Sequence, residues 1–598
     1  MLHRIVIGVV LALVVAAPAV AQNQTLMPGV TYERGVQFTS HGPVAIHVVT
    51  GPRPTGLYAL RPVLSNELIP GTERVTTMQK RLSPGATMVG VNGDFFNFAS
   101  GRPSGVLLRD GVVDSPPWGD RSSVGVTGDG ALDVRRIEFF GTWKGLGQRR
   151  AINDVNELPG ANGVALFTSS YGPATPTQAG AVEAVIFPFP AATPNTDLGG
   201  PVIQLAGAGG TPIPAGGAVL VARGTAAQKL TEEAPVGTNL AARIIFRPEW
   251  TGITQALGGG PAIVRSGGAV FRALEAFSSE QLVPRNPRTA VGQLADGRVI
   301  MVVTDGRRPG YSVGMTNYEL AQTLVRLGAV TASAFDGGGA STLAFDGTVL
   351  NRPSDPGGER SVSTSLQLMY YGVYAQPVAP VVSPNGDGVA ETQRLSYKLV
   401  RPSAATVTLT APDGTVAFTE NGPREPGIYP VAFPPVSLAP AAPSAALAEG
   451  TWRFEIAATD DQGRASAARQ TFAVNNTIGA VRLSGSKLVA RLGGSGRIQA
   501  GVAVTRAARI TASVETQSGV RVTTLSTRSA GPGRYTVAWN GTTRGGRALV
   551  YGGLYAIRFS AANELGTVEL ASKPFRVIRA APVPKKKKAP KVIEFTKP

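Results

Sequence analysis

Short apolar stretches alternate with polar and glycine-rich turns along most of the chain, which is the pattern of β-strands joined by loops. Buried-type strands are predicted at Ala86–Val91, Val299–Thr304 and Thr331–Phe335. Each of these strands runs directly into a polar segment that contains glycine. Because polar side chains at strand ends are well placed to meet a ligand, these segments are the first candidates for a functional site.

The clearest helix is predicted over 316–327. Leu320, Leu324 and Leu327 share one face, Thr316 and Glu319 have the spacing of a capping box, and Gly328 follows the last turn. We therefore interpret Glu319 as a helix cap. The order strand, helix, strand around this segment predicts a local pair of parallel strands, whose ends commonly host a ligand.

Beyond Gln376–Pro380 the chain continues as short alternating strands, and it contains an internal echo. The segment Gly450–Ala458 matches Gly553–Ala561, and a turn follows each copy. We predict an α+β N-terminal domain over 27–375, rich in β-structure with a few helices. Two all-β sandwich domains are predicted over 378–475 and 479–578.

The two ends of the chain predict where the protein works. Residues 1–21 have the basic start, short apolar run and small-residue cleavage site of a signal peptide, with an uncleaved anchor as the alternative. No later segment is long and apolar enough to span a membrane, so we expect a secreted or extracytoplasmic protein, free or associated with the cell surface. Residues 579–598 form a basic Lys- and Pro-rich tail that we expect to be disordered and that could contact an anionic cell-wall polymer.

Composition excludes several kinds of chemistry. The chain has no cysteine and only 3 histidines, so thiol nucleophiles and thiolate metal sites are excluded and a Ser-His-Asp triad is not expected. His47 lies in a strand-like run, where we predict a packing role. The formal charge of +18 comes mostly from dispersed arginines, and we do not interpret it as a nucleic-acid signal.

One loop stands out for its chemistry. Asp336-Gly-Gly-Gly follows a predicted strand, and three successive glycines would let a substrate approach the main chain and its amides. The alternative is a tight turn that binds nothing. The segment lacks the Gly-Lys-Ser/Thr ending of a nucleotide-binding P-loop.

A series of motifs occurs in a characteristic order. They are Asn92-Gly-Asp-Phe-Phe, Gly258-Gly-Gly-Pro-Ala-Ile-Val, Asn286-Pro-Arg-Thr-Ala-Val-Gly, Val302-Val-Thr-Asp-Gly-Arg, Gly314-Met-Thr-Asn-Tyr-Glu-Leu-Ala, Phe335-Asp-Gly-Gly-Gly-Ala-Ser-Thr and Asn351-Arg-Pro-Ser-Asp with Glu359-Arg. In this set the chain resembles the phosphodiester glycosidases, the family of N-acetylglucosamine-1-phosphodiester alpha-N-acetylglucosaminidase. The resemblance covers about Val30–Tyr374.

This resemblance implies an exported hydrolase that cleaves glycosyl-1-phosphodiester linkages, with envelope or extracellular glycans as expected substrates. Arginine and main-chain amides would stabilise the phosphate, and a carboxylate would act near the anomeric carbon. The candidate catalytic residues are Asp336, Asp305, Arg288, which is the first choice for a phosphate clamp, and Asn92. The candidate substrate-binding residues are Asp94, Gly337, Gly338, Gly339, Ser341, Arg307 and Arg360.

The C-terminal half resembles immunoglobulin-like modules, including the one in the flagellar hook-assembly scaffold. The resembling segments are Ser383-Pro-Asn-Gly-Asp-Gly-Val, Gly533-Arg-Tyr-Thr-Val-Ala-Trp-Asn-Gly and Gly552-Gly-Leu-Tyr. A surface protein that binds glycan without cleaving it, or an envelope assembly protein, is the alternative function. The cofactor is left open: a divalent cation is compatible with the carboxylates, and its ligands are unknown.

Overall fold

The computed structural model of the protein describes residues 22–270, 274–386, 388–435, 447–490, 496–543 and 551–579. The predicted signal peptide lies outside the described residues, and so does the predicted basic tail from 580 onward. Arg579, where that tail was predicted to begin, is instead the last residue of strand Phe575–Arg579. No helix in the described part of the chain is long and apolar enough to cross a membrane.

The protein is mostly β-structure with few helices, which confirms the predicted fold class. It divides into two compact units between Gly372 and Val373. The α-helices are Val75–Leu82, Thr225–Glu233, Ser279–Leu282 and Asn317–Arg326, and the short 3-10 helices are Ser65–Glu67, Ser83–Gly85 and Gly338–Ala340.

Four sheets form the first unit, and two of them carry the candidate site. The first has eight antiparallel strands in the order Gln22–Met27, Val30–Thr39, Gly42–Gly51, Val299–Thr304, Arg288–Leu294, Ala329–Ala334, Ala262–Arg265 and Gly268–Ala269. A five-stranded sheet has the order Thr348–Val349, Leu343–Phe345, Thr87–Asn92, Thr364–Tyr370 and Tyr58–Leu64.

The other two sheets of this unit form its remaining layers. One has the order Arg150–Ile152, Glu138–Lys144, Asn239–Arg247, Asp197–Gly207, Ala181–Ile186, Ala218–Arg223, Val164–Phe167 and Asp154–Val155. The other has the order Val112–Ser115, Leu107–Arg109, Ile253–Leu257, Ser122–Thr127 and Leu132–Arg136. Their buried apolar faces share one large core, which includes Trp143, Phe246 and Trp250.

The predicted helix is present as Asn317–Arg326 and has the expected signals at both ends. The Thr316 side chain accepts the N–H of Glu319, and the Glu319 carboxylate accepts the N–H of Thr316, so the capping box is formed. Leu320 and Leu324 are buried against the eight-stranded sheet that contains Val299–Thr304. Gly328 has a φ of 90°, which glycine adopts readily at the end of a helix.

The predicted neighbouring pair of parallel strands is wrong. Strands Val299–Thr304 and Ala329–Ala334 run in the same direction, but Arg288–Leu294 lies between them and pairs antiparallel with both. The helix therefore crosses over one strand rather than joining adjacent strands. The start of Arg288–Leu294 and the C-terminal ends of the other two strands still lie at the same end of the sheet. Arg288, Asp305 and Asp336 therefore lie at or just beyond neighbouring strand ends.

The second unit contains two pairs of sheets, each enclosing its own core. In the first pair, one sheet has the strand order Tyr374–Ala375, Leu395–Leu399 and Gly427–Val431. The other sheet has the order Val381–Val382, Ala465–Val474, Gly450–Asp460, Ser403–Thr410 and Val416–Arg424. In the second pair, one sheet has the strand order Ile478–Leu483, Ile498–Val504 and Gly533–Trp539. The other sheet has the order Lys487–Ala490, Phe575–Arg579, Leu554–Asn563, Ala508–Thr516 and Arg521–Ala530, and Gly566–Ala571 also pairs with Leu554–Asn563.

The two copies of the repeated sequence segment form equivalent strands in the two pairs of sheets. Strands Gly450–Asp460 and Leu554–Asn563 each lie between two long antiparallel partners, and each alternates buried with more exposed residues. This alternation is what a strand with one face on a core requires. The immunoglobulin-like character of these sheets stays a prediction.

Candidate active site

Asp336 is the candidate carboxylate that the fold leaves partly accessible. It follows strand Ala329–Ala334, and its N–H donates to the carbonyl of Gly93, 3.2 Å away. Burial raises the pKa of Asp336 to about 7, and the like charge of Asp94 adds to the rise although Arg360 opposes it. Asp336 can therefore both hold and release a proton near neutral pH.

Asp94 is a second carboxylate, and it is almost completely buried. Its Oδ1 accepts the N–H of Phe95 at 2.8 Å, and its Oδ2 accepts the N–H of Gly105 at 2.6 Å. Burial raises the pKa of Asp94 to about 6, against these two hydrogen bonds, which lower it. Because only 2 % of the residue is exposed, we revise its predicted role from substrate binding to holding charge beside Asp336.

Two glycines explain how Asp94 fits so closely. A Cβ on Gly105 would lie 2.9 Å from Asp94 Oδ2, and one on Gly258 would collide with the same oxygen. Gly258 opens the Gly-Gly-Gly-Pro motif that was part of the family resemblance. The first glycine of this motif is thus required by the close approach of a carboxylate.

Arg307 and Arg360 lie over the glycine loop that follows Asp336. A Cβ on Gly338 would lie 2.8 Å from Arg307 Nη2, and a Cβ on Gly339 would collide with Arg360 Nη2. The Nε of Arg307 donates to Asn286 Oδ1 at 3.0 Å, and the Nε of Arg360 donates to Asp355 Oδ2 at 2.8 Å. Both guanidinium groups are thus held through Nε, and within the described residues their Nη groups make no hydrogen bond.

The amides of the glycine loop are used differently from the prediction. The N–H of Gly338 donates to the carbonyl of Pro287 at 2.9 Å. This amide therefore shapes the loop instead of facing a ligand. Ser341 is fully buried, and its hydroxyl has no hydrogen-bond partner among the described residues. The main contribution of the glycines is room for the two guanidinium groups.

Asn92 links three segments of the first unit. Its Nδ2 donates to the carbonyl of Asp336 at 2.8 Å, and its Oδ1 accepts from Thr289 Oγ1 at 2.8 Å and from the N–H of Thr342 at 3.1 Å. The residue is fully buried. Its amide orients the main chain at Asp336, and its predicted catalytic role stays a prediction.

The buried carboxylate of Asp305 also accepts its hydrogen bonds from other residues of the protein. One oxygen accepts from His47 Nε2 at 3.0 Å and from the Tyr311 hydroxyl at 2.7 Å, and the other accepts from Asn351 and from the N–H of Arg352, each at 3.0 Å. Burial alone would raise its pKa, but the hydrogen bonds from His47 and Tyr311 hold the pKa of Asp305 below its usual value. We revise its role from catalysis to structure.

Arg288 makes its hydrogen bonds to the protein main chain, and its predicted role as a phosphate clamp stays a prediction. Its guanidinium donates to four main-chain carbonyls at 2.7–3.2 Å, those of Met315, Gln281, Leu282 and Pro284. Burial, reinforced by the like charge of Arg307, lowers the pKa of Arg288 to about 10. With four of its five N–H groups used in this way, Arg288 anchors the loop before its own strand.

Arg121 is a neighbour of the carboxylate pair that was not predicted from the sequence. Its guanidinium lies over the rings of Trp118, Phe277 and Phe95, at 4.2, 4.3 and 5.1 Å from their centroids. Burial lowers its pKa, while Asp94, Glu275 and Asp336 act in the opposite direction. Its charge therefore acts on both carboxylates of the pair. The available signal was an arginine three residues after a tryptophan in a Pro- and Gly-rich turn.

Together these residues combine a titrating carboxyl group with two guanidinium groups that have free N–H donors. Such a set can move a proton and stabilise a multiply charged oxyanion in one step. Within the described ranges, no group of three or more His, Asp or Glu side chains is arranged to hold a metal ion.

Substitution of Arg288 should act on stability, whereas substitution of Arg307 should not. Arg288→Ala leaves four carbonyls without their donor, and each unsatisfied buried group costs about 1–3 kcal/mol. We expect a clear fall in melting temperature for Arg288→Ala, and a change of less than about 0.5 kcal/mol in unfolding free energy for the exposed Arg307→Ala. Thermal melting of the two full-length variants checks this. Equal melting temperatures would contradict the structural role of Arg288.

Asp336 and Asp305 should affect stability in opposite directions above neutral pH. The pKa of Asp336 is raised to about 7 on folding, so stability falls as the pH rises towards 7 and the charge becomes a cost. Asp336→Asn should therefore stabilise the protein at pH 8, by on the order of 1 to 3 kcal/mol. The pKa of Asp305 is lowered, so its charge stabilises the fold above the unfolded pKa, and Asp305→Asn should destabilise it. Melting curves at pH 5 and 8 test both signs; a destabilised Asp336→Asn at pH 8 contradicts the assignment.

Comparison with known proteins finds a family match that covers part of the site. The phosphodiester glycosidase family model matches residues 199–369, which include Arg307, Asp336 and Arg360. The SPbeta prophage-derived uncharacterized protein YomE of Bacillus subtilis (strain 168) is 37% identical over 86 residues, 14% of this chain and 13% of that protein.

Solved structures extend the comparison. A hypothetical protein from Synechocystis superposes with a TM-score of 0.51 at 25% identity, over 60% of this chain and 64% of that one. The catalytic domain of zebrafish N-acetylglucosamine-1-phosphodiester alpha-N-acetylglucosaminidase, auto-inhibited by its pro-peptide, has a TM-score of 0.32 at 14% identity, over 59% of this chain and 86% of that one. The chain thus spans 13% of the Bacillus protein and 64% of the Synechocystis protein. Residues 199–369 are thus similar to the phosphodiester glycosidase family.

Proposed function

We propose that the N-terminal unit hydrolyses glycosyl-1-phosphodiesters, and that Asp336, Arg307 and Arg360 carry the reaction. The observation behind the proposal is that two guanidinium groups with free donors lie over adjacent glycines directly after a carboxyl group whose pKa is about 7. The family domain over residues 199–369 makes a hydrolase of this class the expected activity.

The chemistry of the bond fits these residues. A phosphate monoester is a good leaving group, so stabilising its negative charge lowers the barrier more than strong protonation of the leaving oxygen does. Arg307 and Arg360 would bind the phosphate oxygens through Nη. Asp336 would exchange a proton with the incoming water or the departing oxygen, and Asp94 would keep the pKa of Asp336 high from its buried position.

We further propose that the reaction takes place outside the cytoplasm. The support is the predicted signal peptide over residues 1–21 and the basic tail predicted towards residue 598, which suits an anionic envelope polymer. A glycan or glycosyl phosphate of the envelope is then the expected substrate. The two C-terminal pairs of sheets would act as immunoglobulin-like spacers that present the domain.

The experiment that tests the function is hydrolysis of a panel of hexose 1-phosphodiesters by the full chain in oxygen-18 water. We expect the label in the sugar, because cleavage between the anomeric carbon and its oxygen leaves the phosphate unlabelled. Asp336→Asn should lower turnover by about 100- to 10,000-fold, which is the usual contribution of acid–base catalysis. Arg307→Ala should lower it by about 100-fold or more, because a donor to the developing charge is lost.

One control variant sharpens this test. Asp296→Asn replaces an exposed carboxylate that pairs with Arg298 in a turn of the same unit, so its turnover should equal that of the wild type. Label in the phosphate would show attack at phosphorus and contradict the glycosidic mechanism. Absence of hydrolysis across the panel, with folded protein confirmed by melting, would favour a glycan-binding protein.

A further inference from the structure

A cleft of about 660 Å³ opens in the first unit. Its lining includes Asn97, Arg102, Trp118, Glu138, Asp154 and Glu157. This volume lies within the range of small-molecule sites, and the mixed aromatic and polar lining differs from that of an apolar ligand pocket. None of these six residues was a candidate in the sequence analysis.

Two connections join the cleft to Asp336. Ser104 lines the cleft, and the next residue, Gly105, donates its N–H to Asp94. On the other side, the Trp118 ring lies 4.2 Å from the guanidinium of Arg121, whose charge acts on both Asp94 and Asp336. The cleft is therefore linked to the carboxylate pair through Gly105, which hydrogen-bonds Asp94, and through Arg121, which contacts Trp118.

Trp118 is unusual among the tryptophans. All five lie in the described ranges, and the other four are at most 7 % exposed, whereas Trp118 is 48 % exposed. The Arg121 guanidinium over its ring helps to hold the indole in place. A fixed, exposed aromatic ring in a polar cleft offers a flat apolar surface to a ligand that also needs hydrogen bonds. A pyranose ring, with an apolar C–H face and hydroxyl edges, has this character.

The charges of the cleft limit the kind of ligand that it can bind. Asp120, Glu138, Asp154 and Glu157 contribute four carboxylates, while Arg102 is the one basic side chain in the lining. Arg102 is already paired, at 2.7 Å from both Asp154 and Glu157. Burial raises the pKa of Asp154 to about 7, so this carboxyl group is partly protonated at neutral pH. The carboxyl groups of the lining still outnumber its one guanidinium, so the cleft disfavours an anionic group and offers acceptors to hydroxyl groups. Anion-binding donors lie instead at the glycine loop, on Arg307 and Arg360.

We propose that this cleft binds the sugar of the substrate as a neutral hexopyranose stacked on Trp118, while Arg307 and Arg360 bind its phosphate. This inference deepens the proposed glycosyl-phosphodiesterase function and rests on it. It assigns the two ends of the substrate to two regions of opposite charge. A sugar that carries a carboxylate, such as a uronic acid, is excluded.

The binding test uses the full chain and its intrinsic fluorescence. Methyl glucoside, methyl galactoside and methyl mannoside are titrated against methyl glucuronide, which differs from the glucoside by a carboxylate at C6. We expect a saturable change with at least one neutral glycoside and none with the glucuronide. The change should disappear in Trp118→Phe, because the other four tryptophans are buried. No Trp118-dependent change with any neutral glycoside, or an equal response to the glucuronide, overturns the inference.

The kinetic test separates the cleft from the chemistry. Trp118→Ala should raise KM for a neutral hexose 1-phosphodiester by about tenfold, which is what loss of one stacking contact of about 1.5 kcal/mol implies, with a smaller change in kcat. Trp118→Phe should retain most of the affinity. Phe38→Ala, which removes an exposed aromatic from strand Val30–Thr39, is the matched control and should change neither constant.

The outcomes distinguish the two proposals. Hydrolysis with an unchanged KM in Trp118→Ala overturns the cleft assignment and leaves the enzymatic function standing. Trp118-dependent binding of a neutral glycoside without hydrolysis of any phosphodiester overturns the enzymatic function and leaves the cleft as a sugar-binding site.

Discussion

The site depends on one buried amide, the side chain of Asn92. It lies at the end of strand Thr87–Asn92 in the five-stranded sheet and accepts a hydrogen bond from Thr289, which belongs to the eight-stranded sheet. The same amide holds the main chain at Asp336 and at Thr342. Three segments that are far apart in sequence therefore meet at one side chain that has no access to solvent. An unpaired amide at this depth is costly, so the two sheets and the catalytic loop must assemble together.

Much of the fold could be predicted because its signals are local. The capping box at Thr316 and Glu319, the glycine at 328 and the repeated strand around Trp452 depend only on neighbours in the chain. The pairing of strands depends on distant segments, and there the prediction failed. Arg288–Leu294 precedes both predicted partners in sequence yet lies between them in the sheet. No periodicity within 299–335 could reveal that insertion.

The candidate residues divide in a similar way. Motifs led to Asp336, Arg307 and Arg360, which lie together, but also to Asn92, Asp305 and Arg288, whose polar atoms bind the protein itself. A motif identifies a residue that matters without indicating whether its side chain contacts the ligand or the main chain. Arg121 and Trp118 were missed for another reason: they lie on an irregular segment, and their roles depend on aromatic contacts and exposure that only the tertiary structure defines.

The way in which Arg288 and Asn92 hold the site has an evolutionary consequence. Arg288 and Asn92 donate hydrogen bonds to the main-chain carbonyl oxygens of residues 281, 282, 284, 315 and 336. Every amino acid has such a carbonyl group. The side chains at most of these positions are thus free to diverge while the loop geometry persists. Side chains around Asp336 can therefore be exchanged without rebuilding the main-chain contacts that position it.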